Sequence, residues 1–177
     1  MPIYCDDVVP AYQQDCCANE PGRIIAIAFI RTDSVLDPST YTSVGTWTAE
    51  IAAGRAFVIK CVRGSKPPST PNDIDGYGRQ ASRSVSRNFT ANYRHADVLD
   101  NIDFYNVMNF STSFKVAMYT PGGIAFIEET NVANVDADYE IVEGLDSIID
   151  WNVNLSWTNT LMPLSFDVPD TIFEETT

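Results

Sequence analysis

Ten consecutive residues, Ile149 to Thr158, place a large apolar side chain at every second position. Ile149, Trp151, Val153, Leu155 and Trp157 alternate with Asp150, Asn152, Asn154, Ser156 and Thr158. Successive side chains of a strand point to opposite faces, so this pattern demands a strand with one face in a core and the other in water. A chain that carries two tryptophans in this register has to build a sheet and cover one side of it.

Other segments agree. Arg23 to Arg31, RIIAIAFIR, is nearly continuously apolar and rich in isoleucine, as in a strand buried on both faces. Ala56 to Val62, AFVIKCV, reads as another strand, and SFKVAMYTPGGIAFIEE as a hairpin turning at Pro121-Gly122-Gly123. Ala96 to Phe110 is the clearest helix. Asp97 stands at its cap, Asp100 in its first turn, and Val98, Leu99, Ile102, Tyr105 and Met108 form one apolar face. TWTAEIAAG holds one or two helical turns, with Thr46 or Thr48 as cap and Gly54 as stop.

The expected fold is mainly β: an antiparallel β-sandwich or barrel with one packed α-helix at about 97–110 and long loops or arms. Residues 1–22, with three prolines, read as an N-terminal arm, 23–168 as a single domain, and 169–177 as a tail. Arg63 to Gly78, RGSKPPSTPNDIDGYG, reads as a long loop. The strand Trp151 to Trp157 is expected at an edge of the core, with an acidic loop, NVDADYEIVEGLD, before it.

The net charge of -13 disfavours binding along nucleic acid, which needs a basic footprint. The charge is unevenly spread. Residues 116–177 hold twelve Asp and Glu and no Lys or Arg, whereas residues 79–115 hold five bases and three acids. In RQASRSVSRNFTANYR, Arg79, Arg83 and Arg87 fall on one face of a long strand, and that face suits contact with another chain. A solvent-exposed hairpin is the plainer reading of the same stretch.

Nothing in the sequence marks an active site. His95 is the only histidine and there is no G-x-S-x-G, P-loop or G-x-G-x-x-G, so no enzyme is expected. Asp136, Asp138 and Glu140 alternate as D-x-D-x-E, but Ile141 stands where a calcium loop needs glycine. Cys5, Cys16, Cys17 and Cys61 lack C-x-x-C spacing, and no zinc site or other cofactor is expected. Trp47, Trp151 and Trp157 suggest sugar platforms, yet two share the apolar face of one strand, which favours core packing. No apolar run is long enough for a membrane span, and the start has no signal-peptide pattern, so folding in a cytoplasm is expected.

RIIAIAFIR, AFVIKCVRGSKP, GYGRQ, the DFYN helix and the closing WNVNLSW strand together resemble bacteriophage tail tube (major tail) proteins. The similarity runs from about Arg23 to Asn159 and is to structural proteins of phages of Bacteroidota. It implies a virion subunit that self-assembles, through arms and loops, into stacked rings, commonly hexameric. It also implies an acidic lumen for DNA passage without specific binding, assembly in the host cytoplasm, and other tail or neck proteins as partners. Under it, Arg63, Lys66, Arg79, Arg83 and Arg87 are subunit-interface candidates. Asp136, Asp138, Glu140, Glu143 and Asp146 are candidates for the lumen or an acidic surface. A capsid decoration or head–tail connector protein is the alternative, and a carbohydrate-binding module a more distant one.

Overall fold

The computed structural model describes residues 22–76, 83–132, 134–141 and 149–174. Among these residues ten strands dominate: β1 Ala26–Arg31, β2 Ala56–Ile59, β3 Arg63–Ser65, β4 Thr70–Ile74, β5 Arg83–His95, β6 Phe114–Tyr119, β7 Ile124–Glu128, β8 Asn134–Tyr139, β9 Trp151–Asn159 and β10 Leu164–Asp167. Three short helices accompany them: α1 Val44–Ala52, α2 Ile102–Met108 and α3 Asp170–Phe173. The strands form two antiparallel sheets rather than a closed barrel. One has the order β10-β7-β6-β1-β2; the other is β3-β5-β9-β8, with β4 also on β5.

The apolar run at Arg23 to Arg31 becomes the strand between β6 and β2, buried on both faces as its composition requires. Ile27 and Phe29 face a cluster shared with Phe89, Tyr93, Val153, Leu155 and Trp157 of the other sheet. Ala26, Ala28 and Ile30 face a second cluster, closed by Trp47 of α1 and Phe173 of α3. Phe173 stacks on Tyr119 with ring centroids 5.0 Å apart, so the tail residues 170–173 are part of the packing. The hairpin turns as expected, with Gly123 at φ +79 between β6 and β7.

Trp151, Val153, Leu155 and Trp157 are all buried, and the alternation holds without exception along β9. Within its sheet β9 lies inside, pairing with β5 on one side and β8 on the other. The acidic loop assigned before it is in part strand β8, whose Val135 and Ala137 turn inward while Asp136 and Asp138 turn out. Within the loop assigned to 63–78, residues 63–65 and 70–74 form two short strands, β3 and β4, both lying along β5, while 77 and 78 lie outside the described residues. Pro71 fits there because an edge strand leaves one side free of ladder bonds.

The helix expected at 97–110 is shorter. Asp97 has φ +66 and does not cap it. A 3-10 turn at Leu99–Asn101 precedes α2, and Leu99 is 87% exposed. Helix α1 is capped by Ser43 instead of Thr46 or Thr48, the Thr46 amide donating to Ser43 Oγ at 3.3 Å. Gly54, at φ +69, ends it as the sequence suggests. The carboxylate of Glu50 pins this region, pairing with Arg55 and accepting from Ser34 Oγ and Val35 N.

Gly64 of β3 marks where the two sheets close on each other. Its backbone exchanges hydrogen bonds with Ile24, both at 3.1 Å. A Cβ there would lie 2.8 Å from Asn92 O and 3.1 Å from Ile24 Cβ. Gly64→Ala is expected to destabilise the fold by about 1–3 kcal/mol, read as a lowered urea midpoint with unchanged slope.

Candidate interaction surface

The outer face of the β3-β5-β9-β8 sheet is the most distinctive surface of the molecule. Arg63, Arg94, Asn152 and Asp138 are successive cross-strand partners, as are Ser65, Asn92, Asn154 and Asp136. The residues between them, Tyr93, Val153 and Ala137, face the core, so both rows stand on the side away from it. Each row crosses at least one asparagine amide. The first runs from arginine at the β3 edge to aspartate at the β8 edge. Arg94 also pairs with Asp150 at 3.1 Å.

The basic candidates separate. Arg63 is exposed on β3. Lys66 follows β3, with its Nζ 5.1 Å from the Phe89 ring centroid, and burial there lowers its pKa, although Glu128 acts in the opposite sense. Arg87 is occupied within the chain: its Nε donates to Ser69 Oγ at 2.7 Å and its Nη2 to Ser69 O at 3.1 Å. Arg83 opens β5 and registers against Ile74. The arginine face read along this strand does not persist, because Phe89, Ala91 and Tyr93 on the same side enter the core. Arg79 lies outside the described residues. Of the acidic candidates, Asp136 and Asp138 share the outer face of β8 and Glu140 follows it, exposed. Glu143 and Asp146 lie outside the described residues.

The open edge of β8 is partly covered. The Asn109 side chain, just past α2, pairs with the Ala137 backbone in both directions. Its Nδ2 donates to Ala137 O at 2.9 Å, and its Oδ1 accepts from Ala137 N at 2.7 Å. This imitates one rung of a ladder and blocks strand addition there. An added neighbour therefore has to use side chains or the ends of β8.

All three tryptophans are buried, Trp47 at 0%, Trp151 at 3% and Trp157 at 2% exposure, so none offers a sugar platform. Two buried acids carry no sequence signal. Glu128, 1% exposed, accepts from Trp157 Nε1 and Asn159 Nδ2, both at 2.7 Å, and from Thr130 N at 3.0 Å. Glu50 is the other. Both are satisfied within the fold and serve it.

His95 lies on a cleft between β2 and α2 that Lys60, Cys61, Asp97, Asn101 and Tyr105 also line. Its Nε2 is buried with no hydrogen-bond partner, and burial lowers the imidazole pKa against the opposing pull of Asp97 and Asp150. The fold therefore prefers the neutral ring. Its contribution is complete above the unfolded value of about 6.5 and declines as pH falls through and below it. Between pH 7.5 and 5.5 the wild-type urea midpoint is expected to fall relative to that of His95→Gln. Parallel curves for the two proteins would contradict this.

Among the described residues no three His, Cys, Asp or Glu side chains are grouped to hold a metal ion. No helix there is long and apolar enough to cross a membrane. No family model matches the chain, and neither a curated protein nor a solved structure is significantly similar to it.

Proposed function

We propose that the protein is a structural subunit that assembles head to tail with copies of itself, in the manner of a phage tail tube. The observation that carries this reading is the separation of charge across one sheet: Arg63 at the β3 edge and Asp136 and Asp138 at the β8 edge. A heterologous contact joins two different, complementary patches of one chain and closes into a ring when the rotation allows. Opposite edges of a rigid sheet meet that requirement.

In this reading the two sheets act as a β-sandwich, and the outer face of β8 and β9 lines a lumen. Strand β8 contributes carboxylates and no base to that wall, and the whole segment after Lys115 is free of Lys and Arg. DNA passing through such a lumen meets like charge and does not adhere. Screening limits this repulsion to about 10 Å at ordinary salt, so the acids have to stand on the wall itself. Tail location, hexameric rings and contact with other tail or neck proteins belong to this proposal.

Sedimentation velocity at rising protein concentration tests it. Large species at 50 mM salt that shrink at 500 mM are the expected result. A monomer at every concentration and salt would overturn it.

A further inference from the structure

The cations of the described residues are unevenly served. Arg31, Arg55, Arg94 and Lys115 pair with carboxylates, Lys60 donates to Glu174 O, and Arg87 to Ser69. Among the described residues Arg23 and Arg63 have no such partner, and Lys66 has no ion pair, only the Phe89 ring against its ammonium and the more distant charge of Glu128. These three lie at one corner. The bond between Gly64 and Ile24 ties β3 to the residue after Arg23. Arg23 and Lys66 themselves line an open groove of about 310 Å³. Ile24, Met118, Phe126 and Met162 also line it, and among the described residues no acid does. In a chain of net charge -13, an apolar groove whose charged residues, among those described, are Arg23 and Lys66 is the exception.

We propose that this groove receives the end of β8, Glu140 and Ile141, from a second copy of the chain. The inference rests on the self-assembly reading and names its contact. Ile141 is 73% exposed and directly follows the exposed Glu140, so an apolar side chain and a carboxylate leave the sheet together. The groove offers the counterpart of each: an apolar wall, partly of flexible methionine, and in Arg23 a cation with no acid partner among the described residues. Docking brings the Glu140 carboxylate to Arg23, which has no acid partner among the described residues. The donor has to be another molecule. β3 and β8 are opposite edges of the same sheet with β5 and β9 between them, about 14 Å apart at ordinary strand spacing. The contact is also heterologous, as a ring requires.

Sedimentation equilibrium of full-length variants tests this, with circular dichroism to show that each is folded. Both donor residues are exposed, so their replacement leaves the monomer intact. Ile141→Asp and Glu140→Arg are each expected to weaken self-association at least tenfold. Glu140→Arg combined with Arg23→Glu is expected to recover most of the loss. If the wild type assembles while Ile141→Asp and Glu140→Arg assemble equally well, the groove is not the contact and the self-assembly reading stands. If both single variants weaken assembly but the exchanged pair recovers nothing, Glu140 does not meet Arg23 and this docking is wrong. If the wild type never associates, both proposals fall.

Discussion

Reversing Arg23 and Arg63 together to glutamate is expected to leave a folded monomer that no longer associates. Both side chains are exposed and neither has an acid partner among the described residues, so the described fold loses no ion pair by their exchange. In the assembly each would set a carboxylate against the acidic edge of a neighbour. Like charges brought together at an interface cost about 2–4 kcal/mol, roughly 30- to 1000-fold in affinity. The matching control is Arg87→Glu. Its guanidinium holds Ser69 inside the molecule, so that variant is expected to lose stability first. Sedimentation and a urea titration on the same samples separate the two outcomes. Unchanged association of the Arg23, Arg63 double reversal would remove the basic corner from the interface.

The largest loss of stability is expected at Trp157. It is 2% exposed, and its ring stacks on Phe89 of the adjacent strand at 5.6 Å with planes 9° apart. Its Nε1–H is one of three donors to the buried Glu128. Trp157→Ala leaves a cavity in the cluster shared by both sheets, at about 3–5 kcal/mol, and deprives a buried carboxylate of a bond. Against a total stability of about 5–15 kcal/mol this leaves a marginal fold. The melting temperature is expected to fall by roughly 10 °C or more. Trp157→Phe retains the stacking but not the donor, and is expected to lose less than half as much. An equal loss in the two variants would show that the bond to Glu128, and not the packing, dominates.

The contrast between these sites follows how much of each was written locally in the chain. β9 was legible because one-sided burial imposes a period of two on Trp151 to Trp157, and β1 because burial on both faces makes Ala26 to Ile30 continuously apolar. β8 obeys the same rule, but its inward residues are only Val135 and Ala137, and the acids between them read as a loop. β3 and β4 were hidden by Gly64, required by the close approach of Ile24 and Asn92, and by Pro71, which an edge strand tolerates because it pairs on one side. Helix α2 begins late because the chain enters it through a left-handed Asp97, which no spacing of apolar residues reveals.

The basic corner was half legible. Arg63 and Lys66 could be named from the charge pattern, whereas Arg23 joins them only through the pairing of Ile24 with Gly64. Arg87 looked free because its partner Ser69 lies eighteen residues back, in a segment read as loop. Glu128 gives no local hint of burial, since its donors arrive from Trp157 and Asn159 on another strand.

Negative-stain electron microscopy of the purified full-length protein, concentrated at moderate salt, tests the central claim most directly. Rings or stacked tubes with a central hole, absent from the Arg23, Arg63 double reversal, are the predicted result. Uniform single particles with no larger species at any concentration, indistinguishable from those of the variant, would contradict it.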